Sequence, residues 1–110
     1  RAFYADNFVL PLPLGHRFPM AKYAMLRDAV RDSLPGALLA SAQATDGELA
    51  LVHTPAYIQG VATGSLSAAA QREIGFPWSL GMAERARRSI GASVAAARVA
   101  MSQGIAANLA

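Results

Sequence analysis

From Leu80 to Gln103 the chain contains no proline and is dominated by Ala, Arg, Met and other good helix formers, with Ser79 just before it and Gly104 just after it. Ser is a favoured N-cap and Gly a favoured C-cap, so this stretch is predicted to be one helix opening at Ser79 or Leu80 and closing at Gly104. Such a rod would be about 35 Å long, and the rest of a small domain has to be laid along its side. Ile90, Val94, Ala97 and Met101 recur in steps of four, three and four and are expected to form its buried stripe. Gly91, Ala92, Ala95 and Ala96 leave a small-residue surface for close approach of another element. Arg85, Arg87, Arg88 and Arg98 scatter around the axis, with only Arg87 and Arg98 sharing a face and Glu84 placed to pair with Arg88. That distribution is read as a solvated face, not as a nucleic-acid surface.

The other elements are shorter. Ala2 to Ala5, centred on Phe3 and Tyr4, reads as a strand that leaves the core at Asp6-Asn7. Tyr23, Leu26, Val30 and Leu34 keep steps of three and four, giving a helix over Met20 to Leu34 that Pro35-Gly36 stops. Ala37 to Ser41 is long enough for one buried strand. Thr45-Asp-Gly-Glu48 has the form of a capping box leading into a short helix that carries His53 near its end. Thr54-Pro55 starts a further helix over Ala56 to Val61, ended by Thr63-Gly64, and Ser67 caps another through Glu73. Phe76 and Trp78 form a loop expected to plug a gap between layers, and Ile105 to Leu109 reads as a strand entering a sheet. Strand, helix, strand, several helices, strand is the order of an α/β layer fold with parallel pairing.

One domain fits 110 residues that are 54% hydrophobic. The charge of +3 comes from nine scattered arginines and a single lysine against seven acids, which lacks the clustering a nucleic-acid footprint needs. No cysteine is present, so disulfides and thiolate metal sites are excluded. No apolar run approaches the ~20 residues of a membrane span, and residues 1 to 6 lack the pattern of a signal peptide. A cytoplasmic location is the expectation. The missing initiator Met suggests a chain trimmed at its front.

The segment Leu10-Pro-Leu-Pro-Leu-Gly-His16-Arg-Phe-Pro-Met-Ala-Lys22-Tyr23 places a stiffened loop, a histidine and the only lysine directly before the first predicted helix. Pro11 and Pro13 favour an extended approach, Gly15 permits a turn, and Pro19 suits a helix start. A loop held this firmly is a candidate wall of a site. On chemistry alone His16 could be a catalytic group or a ligand, and a site from His16, His53 and Asp6 would need three separate segments to converge.

Three segments resemble the N-terminal portion of the histone deacetylase family, nearest its class IV and bacterial deacetylase-like branch. They are His16-Arg-Phe18-Pro-Met-Ala-Lys22-Tyr23; Ala44 to Ile58 with His53-Thr-Pro-Ala-Tyr57; and Ile74-Gly-Phe-Pro-Trp78 through Ala-Arg-Arg-Ser-Ile-Gly91 to Ala107-Asn-Leu-Ala110. The resemblance implies residues 1 to 110 as the incomplete N-terminal segment of a single deacetylase-like domain. The implied fold is α/β, part of a parallel-sheet arginase/deacetylase-like three-layer fold, truncated before the metal-binding segments. The implied chemistry is zinc-dependent removal of acetyl or other acyl groups from lysine or polyamine amines. In the family the strand matching Ile105 to Leu109 leads into a glycine-rich segment with paired histidines, followed by an Asp-x-His. None of these motifs occurs here, so no catalytic residue, no metal ligand and no bound zinc are expected of this chain, which should be inactive alone.

The same resemblance assigns Lys22, Tyr23 and Tyr4 to a substrate or product channel, where a cation would stabilise a carboxylate product. The bare residue reading of Lys22, a solvated first-turn lysine, stands equally beside it. His16, Arg17 and Phe18 are expected to anchor the site loop, and His53 to serve as a local hydrogen-bonding partner. The expected partners are an acetylated amine for the complete protein, and otherwise a second copy or the remainder of the parent domain, with no membrane and no nucleic acid. The alternative from a different class is a non-catalytic, self-associating interaction module.

Overall fold

The structure, a computed structural model, describes residues 1–6, 10 and 12–110, so the readings of Asn7 and Pro11 lie outside the described residues. β1 (Ala2–Tyr4) is the middle of a three-stranded parallel sheet, flanked by β2 (Leu38–Ala40) and β3 (Ala107–Asn108). Ala2, Phe3 and Tyr4 pair with Leu38, Leu39 and Ala40, and on the other side Ala2 and Phe3 pair with Ala107 and Asn108. Between β1 and β2 runs α1 (Ala21–Ser33), and between β2 and β3 run α2 (Asp46–Leu49), α3 (Pro55–Thr63), α4 (Ala68–Ile74) and α5 (Leu80–Gln103).

The expected three-layer α/β fold is corrected by this arrangement. The described residues are mostly helical, with five helices against strands of three, three and two residues. A three-layer fold needs a sheet wide enough to bury both faces under helices. Here β2 supplies Leu38 half-buried, while Leu39 and Ala40 are exposed, so it has no second covered face. The pairing is parallel as the element order predicts, but the layers are those of a helical chain around a small sheet.

Local chemistry starts and stops most helices where the residues demand it. Ser79, Ser67 and Thr54 side chains accept from the backbone N–H groups of Met82, Ala70 and Tyr57, and Pro55 opens α3. Gly64 ends α3 at φ +73°, directly under the Trp78 ring, where a Cβ would lie 2.6 Å from a ring carbon; only glycine fits on both counts. Trp78 is held in place by donating its Nε1–H to the Val61 carbonyl at 2.7 Å. The helix expected to carry His53 is shorter than its apolar run suggests. It ends at Leu49, because Leu51 and Val52 find nothing to pack on and stay exposed, and His53 falls in the bend before α3.

Thr45 and Glu48 form the reciprocal capping box of α2: the Glu48 N–H donates to Thr45 Oγ1 at 3.1 Å and the Thr45 N–H donates to Glu48 Oε2 at 2.9 Å. The backbone bond from Thr45 holds the Glu48 carboxyl below its usual 4.5, partial desolvation works against this, and Arg98 at 2.8 Å adds to the lowering. A carboxyl depressed in the folded state stabilises fully above its unfolded value and loses that contribution as pH falls through the folded one. Glu48→Gln should therefore melt below the wild type at neutral pH, with the gap closing as the pH falls through and below the ordinary carboxylate value of 4.5. Thermal melts showing a gap unchanged over that fall in pH would contradict the assignment.

α5 lies on β1 and β3 through the small-residue surface of Gly91, Ala92, Ala95 and Ala96 expected to allow close approach, and not through the predicted stripe. The predicted stripe is corrected: Ile90 is 45% and Met101 90% exposed, and Ala97 is exposed too. The buried face is Met82, Arg85, Ala92 and Ala96, with Gly91 beside it, and Ala92 and Ala96 form the core with Phe3. Small residues win because the sheet and the 41–44 stretch come so close that larger side chains have no room. An added Cβ on Gly91 would stand 2.0 Å from the Ala42 carbonyl oxygen. Among the described residues, no helix is long and apolar enough to cross a membrane.

Candidate functional site

The loop before α1 is organised by its own backbone and by aromatic stacking. Gly15 takes φ +82°, the turn that its position suggests, and the His16 N–H donates to the Pro13 carbonyl at 3.0 Å. His16 Nδ1 in turn accepts from the Phe18 N–H at 3.1 Å, and its ring stacks on Phe76 with centroids 6.0 Å apart. Phe18 meets Phe76 edge-on at 5.1 Å and Tyr23 at 6.1 Å. Arg17 is exposed and makes no hydrogen bond or ion pair with the described residues.

Two cations complete this cluster. Lys22 Nζ sits 4.8 Å from the Phe18 ring centroid and 5.0 Å from that of Tyr23, and the Arg85 guanidinium lies 4.3 Å from the Tyr23 centroid. Lys22 is exposed, so its two ring contacts are worth about 0.5–1 kcal/mol each at most. Arg85 is only 9% exposed. Tyr4 is not part of the cluster. It stands at the end of β1 beside Arg27, whose guanidinium is 5.9 Å from the Tyr4 ring and bonds Asp6 at 2.6 Å. Burial draws the Arg27 pKa down, and the Asp6 and Asp28 carboxylates outweigh this and raise it, so Arg27 remains firmly charged.

Behind Phe18 and Tyr23 opens a recess of about 440 Å³ between the loop, α3 and the first half of α5. Its walls come from each segment of the family resemblance: Phe18 and Tyr23 from the first, His53 and Tyr57 from the second, Phe76 and Arg87 from the third. His53 and Tyr57 stack on one another at 5.1 Å. Lys22 does not line the recess and packs its ammonium against the Phe18 and Tyr23 rings.

Of the arginines of α5 Arg98 is solvated and Arg88 pairs with Glu84, both as expected, whereas Arg85, Arg87 and Arg88 are partly or largely buried. Arg87 bonds Asp46 at 2.7 Å, Arg98 bonds Glu48, and Arg88 bonds Glu84 at 3.1 Å and donates to the Ser41 carbonyl at 3.0 Å. They staple α5 to the 41–48 segment. Arg85 is the residue the sequence reading missed. Its signal was its phase, since Met82, Arg85, Ser89, Ala92 and Ala96 follow steps of three, four, three and four once the small residues are taken as the inner stripe.

Among the described residues no group of three or more His, Cys, Asp or Glu side chains could hold a metal ion. His16, His53 and Asp6 each serve separate local contacts. The described residues thus do not fit a zinc site.

No family model matches the sequence. An uncharacterized protein of Picosynechococcus sp. is 34% identical over 110 residues, which take in 97% of this chain and 37% of the relative. The chain therefore spans well under half the length of the protein it matches.

Proposed function

We propose that this chain is the N-terminal segment of a deacetylase-like hydrolase that cleaves acyl groups from the amines of lysine or polyamines. The observation that carries this reading is the convergence of all three resemblance segments on one recess, with Phe18, Tyr23, His53 and Tyr57 among its walls. The three segments lie far apart in the chain, and the fold brings side chains of each to this one recess. The greater length of the Picosynechococcus relative is consistent with catalytic groups contributed by further polypeptide. In this role the loop from His16 to Phe18 shapes one wall, Tyr23 packs another, and the exposed Lys22 ammonium, outside the recess against the Phe18 and Tyr23 rings, adds positive charge that favours a departing carboxylate.

The test is hydrolysis by the protein of the complete reading frame, purified with zinc and supplied with acetyl-lysine peptides and acetylated polyamines. Release of acetate from either amide class is expected, and Lys22→Ala should slow turnover by about tenfold, the size of one favourable charge contact. The 110-residue chain is expected to release none. Acetate release by that chain alone, or none from the complete protein with either substrate, would overturn the proposal.

A second reading is favoured by a different observation. Leu51, Leu80, Met101 and Ile105 are each more than 70% exposed, and β2 and β3 each have one unpaired edge within the three-stranded sheet. A self-associating module would cover these surfaces with a second copy. Sedimentation should then give a dimer or larger species at micromolar concentration, whereas a stable monomer speaks for the first reading.

A further inference from the structure

Arg85 is nine-tenths buried, lines the recess, and has the Tyr23 ring as its neighbour at 4.3 Å. Among the described residues its guanidinium has no carboxylate and no hydrogen-bond acceptor. None of the Arg85 nitrogens is sealed from solvent, so its donors reach the recess, and the Tyr23 face satisfies none of the five N–H groups. The donors are free to meet whatever enters the recess.

The rest of the lining defines the visitor. Arg87, the other guanidinium at the wall, is taken by Asp46 at 2.7 Å, so the recess offers one uncompensated positive charge. Phe18, Tyr57, Ile58, Met82 and Ile90 make the remainder largely apolar. A volume of about 440 Å³ falls in the range of sites that enclose small organic ligands and is far larger than a bare inorganic anion needs. The planar fork of arginine matches a carboxylate through two parallel hydrogen bonds.

We propose that this recess binds a monocarboxylate with an apolar tail, its carboxylate paired with Arg85 and its tail lying between Phe18, Tyr57 and Met82. The site requires no metal and no turnover, so it stands or falls separately from the hydrolase reading.

Octanoate, octan-1-ol and octylamine, which share one tail and differ in the head group, are the probes for titration calorimetry on the 110-residue chain at neutral pH. Octanoate should bind at one site, at least about tenfold more tightly than octanol, with octylamine weakest, as a charge-assisted pair in a partly dry site implies. Arg85→Leu should remove that preference, lowering octanoate affinity by about tenfold or more while leaving octanol unchanged. Because that variant could fail to fold, the head-group comparison on the wild-type chain decides independently. Equal affinity for octanoate and octanol, no octanoate binding at about 5 mM, or a folded Arg85→Leu chain that keeps the preference would each overturn the site.

Discussion

Replacing Gly91 by alanine should destabilise the protein by about 2–4 kcal/mol, although alanine is the better helix former by about 1 kcal/mol. Gly91 lies in the middle of α5, and a Cβ there would meet the Ala42 carbonyl oxygen at 2.0 Å, the Ala44 nitrogen at 2.9 Å and the Ala42 carbonyl carbon at 3.0 Å. All three are backbone atoms, so no side chain can swing away. The 41–44 stretch is also tied to α5 by the Ala44 N–H donating to the Arg87 carbonyl at 2.9 Å and by Ser41 Oγ donating to the Arg88 carbonyl at 3.0 Å. Making room means pulling these bonds apart. Gly81 provides the control, since it belongs to the same helix and its nearest neighbour would be Ser79 Oγ at 3.8 Å. Gly81→Ala should be neutral or stabilising by up to about 1 kcal/mol. Urea unfolding of the two variants checks this, and similar midpoints for both would show that the close approach carries no energetic weight.

Phe3→Ala should cost about 3–5 kcal/mol, the range for a large aromatic removed from a core. Phe3 is 7% exposed, sits at the centre of β1 between Leu39 and Asn108, and is the one large side chain in the cluster with Ala92 and Ala96. Those alanines have no longer side chains with which to fill the space, so the void would persist. A domain of this size has about 5–15 kcal/mol in total, and the variant should be partly unfolded at 37 °C. Retention of the wild-type urea midpoint would mean that the sheet and α5 are held together by something other than Phe3.

Helix ends were readable because their causes are local. Thr45 with Glu48, Ser67, Ser79 and Gly104 each act within one turn, and all sit where the helices begin or end. What escaped depends on distance between elements. Gly91, Ala92, Ala95 and Ala96 were legible as a surface for close approach, but ranking by hydrophobicity puts Ile90 and Met101 inside, whereas the close spacing set by Phe3 and residues 41–44 leaves both of them exposed. Arg85 escaped because an arginine reads as solvent-facing by residue type, although it is in phase with Ala92 and Ala96. The three-layer fold was inferred from resemblance, while the strand lengths follow from how few residues of β2 and β3 find cover. For the candidate site, Phe18 and Tyr23 were named from the loop motif, but their partner on α5 belongs to a contact across more than sixty positions, for which no local pattern exists.

The pairing of Ala2 with Ala107 has a consequence for how the chain is made. Of these three strands the first to be synthesised, β1, is the middle one of the sheet, and one of its two partners follows only about a hundred residues later. At about 5–20 residues per second that interval lasts on the order of 5 to 20 s. Throughout it β1 can pair with β2 alone, and Phe3 lacks the α5 alanines that enclose it. The nascent chain thus carries an unsatisfied strand edge throughout that interval. A ribosome-associated chaperone that holds extended apolar segments would find a target in β1.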